Sequence, residues 1–288
     1  MPSALVLIDK QQGWTSHDVV AKLRGILGTR KIGHAGTLDP MATGLLVLGV
    51  DGGTKLLQFI SGSDKQYIAT IRLGASTHTD DAEGEILSSA SALAVTKEQI
   101  DAEIAKLTGE ITQVPSSVSA IKVEGKRAYD LVREGQEVEL KGRQVRVSTF
   151  QRTSDLRQVQ DFLDFDVVVD CSSGTYIRAL ARDIGAALGV GGHLTVLRRT
   201  KIGNFDLAHA TEIDKPPVVI PLSEAVLKLF PAIELTEAQA QDIVHGKRIN
   251  SEANGIVAAT WNSELLAVLE PVGNELKSVV VFPEVFNG

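Results

Sequence analysis

Residues 33–50 read GHAGTLDPMATGLLVLGV. The second half, GLLVLGV (44–50), is a continuous apolar run of the length of a buried strand. The part before it is glycine-rich, contains one proline and one carboxylate, and shows no periodicity, so residues 29–43 read as a loop. Glycine permits tight turns and close approach by a ligand. Pro40 confines the preceding Asp39 to extended backbone, which gives one acid a fixed direction on an otherwise pliable loop. Taken alone, the loop also fits a plain Asp-Pro turn whose carboxylate caps nearby amides.

Working outward, the chain has 288 residues, which suggests two domains or one large and one small. Apolar residues make up 43% and charged residues 23%, a globular composition that excludes disorder, collagen and a disulfide scaffold. No apolar run reaches the roughly 18 residues of a membrane span. The start, MPSALVLIDK, carries no basic leader, and its apolar run is too short for a signal peptide. The single cysteine, Cys171, cannot form an intramolecular disulfide. The expected compartment is therefore the cytoplasm.

Before the loop, ALVLI (4–8) reads as a strand, and Ser16 as the N-cap of a helix to about Gly28. After it come a short helix over 54–60, a strand over 66–73, and a helix from the Thr96–Gln99 capping box to about Leu107, closed by Gly109. Residues 114–126 read as irregular, and 127–134 as a short helix. Strands are expected over 137–150, 161–171 and 193–203, with an amphipathic helix over 175–188. Pro216, Pro217, Pro221 and Pro231 mark a boundary near 215–231. Beyond it, a helix capped by Thr236 and Gln239 precedes short strands at 256–260, 264–269 and 276–282, a small barrel or sandwich.

The formal charge of −7 speaks against a nucleic-acid partner, because phosphate contacts need positive surface. The distribution reverses that inference. Residues 204–288 carry 5 basic and 12 acidic groups, whereas 1–65, 111–150 and 176–203 each carry a basic excess. A positive face on an acidic protein is possible; so is an ordinary mixed surface.

Other chemistries lack their signatures. The histidines are scattered, and no HxxxH or CxxC spacing reinforces a metal site. No GxSxG elbow supports a serine hydrolase. GVDGGTK (49–55) is glycine-rich but does not have phosphate-loop spacing. Cys171 has no evident activating partner and reads as a buried, inert thiol.

As a set, the motifs say more. GHAGTLDPMATGLLVLGV resembles the catalytic motif of the TruB family, the bacterial tRNA pseudouridine-55 synthases. DKQQGWTS (9–16), KQYIATIRLG (65–74), THTDDAEGE (77–85), SVSAIKVEGKRAYDLVREG (117–135), CSSGTYIRALARDIG (171–185) and HLTVLRR (193–199) resemble further family motifs in the family's order. The likeness spans about residues 5–203, and the tail from about 230 resembles a PUA-like RNA-binding domain. One departure is visible: Gln11 follows Lys10 where the family usually has proline.

The resemblance implies roles residue by residue. Asp39 matches the catalytic aspartate, acting on a uridine either at ribose C1′ or by an elimination route. Arg178 matches the arginine that pairs with it, and Tyr67 the tyrosine that stacks on the target base. His34, Gly36, Leu38, Tyr176 and Leu197 match pocket or pocket-entrance residues. Lys10, Arg30, Lys31, Lys122, Lys126, Arg127, Arg182, Arg198 and Arg199 are expected to contact RNA, with Arg133 also in the thumb-like segment at about 117–140. Lys247 and Arg248 are the tail's one adjacent basic pair. The target uridine of a folded T-loop must be flipped out to react.

The implied fold is α+β: a pseudouridine synthase domain over 1–229, with a central mixed, mainly antiparallel sheet and flanking helices, and a PUA-like β-barrel over 230–288. The implied partner is the tRNA T-stem-loop, met by a monomer without guide RNA, metal or cofactor. The residues leave open an RNA-binding or tRNA-folding protein without catalysis. Asp39 weighs against it, because a pure binder gains nothing from an acid where phosphates approach. A hydrolase or phosphate-handling enzyme on the same loop is disfavoured by the missing motifs.

Overall fold

A computed structural model of the chain describes residues 3–116, 122–123, 126–127 and 140–287. The apolar run at the start forms β1 (Ala4–Lys10), followed by α1 (Ser16–Leu27), β2 (Ile32–Ala35) and β3 (Thr43–Val50). Thr15, not Ser16, caps α1: its side chain accepts the Asp18 N–H, and Asp18 answers at the Thr15 N–H. Strand β2 lies inside the segment expected to be a loop. Its four residues carry no strand pattern, and pairing makes it: Ile32 to Ala35 run antiparallel to Val50 to Val47. The loop that bears Asp39 is therefore the connection of a β2–β3 hairpin. After β3, a 3₁₀ turn (Asp51–Leu56) leads into α2 (Leu57–Ser61).

The chain groups into two compact units, residues 1–40, 44–61 and 203–288 in one, and 41–43 with 62–202 in the other. The second unit contains β4 (Lys65–Leu73), β5 (Ala75–Thr77), β6 (Ile86–Ser89), α3 (Lys97–Lys106), β7 (Gly109–Gln113), β8 (Lys122–Val123), β9 (Lys126–Arg127), β10 (Arg143–Arg152), β11 (Arg157–Val159), β12 (Phe162–Cys171), α4 (Ile177–Ala187) and β13 (Gly192–Ile202). Its sheet runs β13-β4-β12-β10-β7, every pair antiparallel. Along β4 the residues Lys65, Tyr67, Ala69, Ile71 and Leu73 alternate onto the buried face. Helix α4 is amphipathic, and Arg178 is buried beside Ile177, Ala179, Leu180, Ala181 and Ile184. A Cβ at Gly185 would run into the Gly191–Gly192 backbone, so only glycine lets α4 lie this close to the start of β13. Gly109, expected to close α3, instead opens β7.

The rest of the first unit adds β14 (Phe205–Asp206), β15 (Thr211–Glu212), β16 (Val218–Pro221), α5 (Leu222–Leu227), β17 (Ala232–Glu234), α6 (Glu237–Val244), β18 (Ile249–Asn250), β19 (Val257–Trp261), β20 (Glu264–Val272), β21 (Glu275–Val281) and α7 (Glu284–Asn287). β1 pairs antiparallel with β3 and β16 and parallel with β15, so the sheet is mixed. The proline-dense stretch is thus partly an edge strand, the position in a sheet where proline is tolerated. Val6, Ile8, Val19, Leu23, Ile32, Leu46, Leu48 and Ile213 form one core. Leu235, Ile243, Leu266, Leu269 and Leu276 form another, under the five-stranded sheet β17-β19-β20-β21-β18. That sheet is a half-barrel of the PUA type.

Candidate active site

In the first unit, Asp39 sits in the hairpin loop between two anchors. Before it, the buried Ser16 hydroxyl donates to the Leu38 carbonyl at 3.2 Å and accepts the Leu38 N–H at 2.9 Å. After it, the Pro40 carbonyl accepts the Gly13 N–H at 2.9 Å and the Lys10 ammonium at 3.4 Å. The Lys10 Nζ also donates to the carbonyls of Trp14 and Gln11, at 2.6 and 3.1 Å. Leu38 and Met41 are buried on either side, while Asp39 is half-buried. Gly36 has φ +82°, a left-handed conformation open to glycine at little cost. His34 meets His17 edge-on, with ring centroids 5.6 Å apart. Arg30 and Lys31 are exposed.

In the second unit, the site residues cluster on β4, α4, β13 and the acidic turn. Arg178, 4% exposed, donates to the Thr79 carbonyl at 2.6 Å and lies 3.4 Å from the Asp81 carboxylate. Asp81 also accepts from the Thr79 hydroxyl at 2.5 Å and the Glu83 N–H at 3.1 Å, so the turn is built around the arginine's counter-charge. Asp80 holds φ +60°, and burial pushes its carboxyl up, opposed by the Arg182 guanidinium 3.3 Å away. Tyr67 is buried on β4, opposite Arg199 of β13. Lys65, two residues before Tyr67 on the same face, is pushed down to about 8 by burial and by the nearby Arg199. Leu197 is buried, Tyr176 half-buried, and Arg198 donates to the Thr43 hydroxyl at 3.3 Å.

Two residues expected to bind RNA are buried instead. Lys10 and Arg199 are each 1% exposed. Lys10 spends its ammonium on backbone carbonyls of its own unit, and Arg199 lies on the covered face of the sheet, so neither presents its charge to a surface phosphate. Arg182 is partly committed too, bridging Asp80, Asp183 and the Val114 carbonyl. Lys247 pairs with Asp242 and Arg248 with Glu275, but such exposed pairs are worth about 0–1 kcal/mol and yield readily to a phosphate. For Lys122, Lys126 and Arg127 the backbone forms a two-rung ladder, Lys122 opposite Arg127 and Val123 opposite Lys126. Of the helix expected from Arg127 to Glu134, Arg127 is in β9 and the rest, with Arg133, lies outside the described residues. Cys171 is buried, which pushes its thiol up to about 11, the inert state expected from its surroundings. Residues that a reading of spacing missed are Ser16, which resembled a helix cap, and Gln113, described below.

The fold is shared with solved proteins. A chain of an H/ACA RNP bound to a substrate RNA containing 2′-deoxyuridine superposes with a TM-score of 0.70, covering 97% of this chain and 84% of its own at 24% identity. A chain of a Cbf5-Nop10-Gar1 complex gives 0.69, covering 96% and 84% at 24% identity. The architecture is that of the pseudouridine synthases. Residues 24–177 match the N-terminal domain of the TruB family pseudouridylate synthases, and 178–215 the C-terminal domain described for tRNA pseudouridylate synthase B. Residues 230–283 match the C-terminal domain described for tRNA pseudouridine synthase II. A protein of Leifsonia xyli subsp. xyli named tRNA pseudouridine synthase B is 54% identical over 293 residues, covering 98% of this chain and 97% of its own. One of that name from Mycobacterium leprae is 52% identical over 292 residues, covering 98% and 91%. The chain belongs to the TruB family of pseudouridine synthases.

Proposed function

We propose that this chain isomerises the T-loop uridine of tRNA, position 55, to pseudouridine, with Asp39 as the nucleophile and the target base flipped out of the loop. The observation that carries this reading is the double anchoring of the Asp39 loop, at Leu38 by Ser16 and at Pro40 by Lys10 and Gly13. A half-buried carboxylate held on both sides suits attack on a fixed sugar atom. The names of the relatives support tRNA as the substrate.

The reaction breaks the bond from ribose C1′ to uracil N1 and forms one from C1′ to C5. C5 gives up a proton and N1 gains one, so the atoms balance without oxidant, metal or water. Asp39 attacks C1′ or takes part in elimination across the sugar; both routes need its carboxylate. By the family resemblance, Tyr67 is the residue that stacks on the base, Arg178 the one that answers the catalytic aspartate, and Tyr176 and Leu197 are pocket residues. By the same resemblance, His34 contacts the displaced nucleotides, and Gly36 and Leu38 bind substrate. The exposed Arg30 and Lys31, together with Arg198, Lys122, Lys126 and Arg127, meet phosphates and offset the few kcal/mol of unstacking. Residues 1–229 serve as the catalytic domain and 230–288 as a PUA-like RNA-binding domain. The chain works as a cytoplasmic monomer without guide RNA. No described helix is long and apolar enough to cross a membrane.

The test is to map pseudouridine at nucleotide resolution in an unmodified tRNA transcript and in an isolated T-arm, each treated with the purified chain alone. One converted T-loop uridine in both RNAs supports the reading. Conversion elsewhere, or conversion that requires an added guide RNA, overturns it.

A further inference from the structure

We propose that Gln113 is a positioning residue for Arg178, its carboxamide fixing the backbone from which helix α4 starts. The proposal rests on the reading of the chain as a pseudouridine synthase that uses Arg178. Three other helices begin with a cap from their own segment: Thr15 with Asp18, Thr96 with Gln99, and Thr236 with Gln239. Helix α4 does not; its N-cap is Tyr176, which makes no side-chain cap bond. Helix starts leave N–H groups unsatisfied, and a start without its own cap is free to fray.

Gln113 supplies the hold from the end of β7, 63 residues away. Its Oε1 accepts the Tyr176 N–H at 2.8 Å, and its Nε2 donates to the Tyr176 carbonyl at 3.1 Å. One side chain thereby satisfies both backbone groups of one residue, as a neighbouring strand would. Gln113 is itself 2% exposed, so water cannot substitute for either bond. The next residue continues the brace, because the Val114 carbonyl accepts from Arg182 Nη2 at 2.7 Å, one turn beyond Arg178 on the same helix. Arg182 in turn reaches Asp80 at 3.3 Å, within the acidic turn that receives Arg178. The end of β7, the first turns of α4 and the turn at 79–81 thus form a closed ring of polar contacts around Arg178. The Gln113 side chain bonds the backbone of Tyr176. Its effect reaches the site through Tyr176 and the placing of Arg178.

The test compares wild type with Gln113→Met, which keeps the length of the side chain and loses both bonds, on an unmodified tRNA transcript. Steady-state rates give kcat and KM separately, and thermal melting reports stability. The proposal expects kcat to fall about 10- to 100-fold, as for a misplacement of about an ångström, with KM within about threefold of wild type. Gln113→Glu, which keeps the acceptor and loses the donor, is expected to fall between the two. Unchanged kcat in both variants overturns the proposal, and so do variants that cannot be isolated folded, since Gln113 would then serve stability alone. Wild type that forms no pseudouridine overturns the function beneath the proposal, a result distinct from either.

Discussion

Ser16 binds both backbone polar groups of Leu38, donating to its carbonyl at 3.2 Å and accepting its N–H at 2.9 Å. The two residues are 22 positions apart, and the next residue after Leu38 is Asp39. Ser16→Ala leaves both Leu38 groups buried without this partner, which costs about 1–3 kcal/mol. A freer Asp39 also slows catalysis, by as much as about 100-fold for an ångström of misplacement. Denaturant unfolding and single-turnover pseudouridine formation measure the two effects. A rate equal to wild type would show that the clamp does not orient the acid.

Arg178 is received by a turn that spends Asp81 on it. Asp81→Ala removes a counter-charge from a buried guanidinium, and breaking such a pair costs up to about 3–5 kcal/mol. Asp81→Asn keeps an oxygen for the Thr79 hydroxyl and the Glu83 N–H, so it costs less stability while still lowering kcat. Chemical denaturation of both variants, with kcat at saturating tRNA, checks the order. Equal stability for the two substitutions would contradict it.

Lys65 gives a pH signature. Its folded value is about 8, against an ordinary value of 10.5, because burial and Arg199 disfavour its charge. Below about 8 the lysine is charged in both states and the burial penalty is present in full. From there to 10.5 the folded chain has released the proton and the unfolded chain still holds it, so stability rises with pH. Lys65→Met removes the penalty. Its stability advantage over wild type is largest near neutrality and shrinks by about 3 kcal/mol at most as the pH passes through that window. Urea unfolding of both proteins between pH 7 and 10 reads this directly (the range is set by the values above). An advantage independent of pH would contradict the account.

Cys171 is 1% exposed and its thiol is pushed up to about 11. Because the thiolate is the reactive form, a thiol-specific disulfide reagent at mildly alkaline pH should leave it unmodified in the folded protein and titrate it fully in denaturant. Reaction of the folded protein at the rate of a free cysteine would show the site to be open.

The sequence makes some of this legible and hides the rest for physical reasons. The glycines and Pro40 announce a constrained loop around Asp39, and the apolar runs of β1 and β3 declare themselves. Strand β2 does not, because IGHA has no alternation and owes its form to its partner β3. Ser16 looks like a helix cap, a task that Thr15 performs, which frees the serine for Leu38. Gln113 gives no local signal at all, since its partner lies 63 residues on. The basic residues read as one class, yet Lys10 and Arg199 are buried while Arg30 and Lys31 are exposed. Spacing cannot separate a cation that meets phosphate from one that holds the fold.

If Asp39 performs the chemistry, it is needed for conversion and dispensable for binding. Asp39→Asn keeps the shape of the side chain and removes its charge. The decisive measurement pairs it with wild type on an unmodified tRNA transcript, mapping pseudouridine at single-nucleotide resolution and measuring RNA affinity in the same buffer. The account predicts that wild type converts one T-loop uridine, while Asp39→Asn binds the RNA as tightly and converts none. Pseudouridine formed by Asp39→Asn at the wild-type rate, or RNA bound by both proteins with none formed by either, would contradict it.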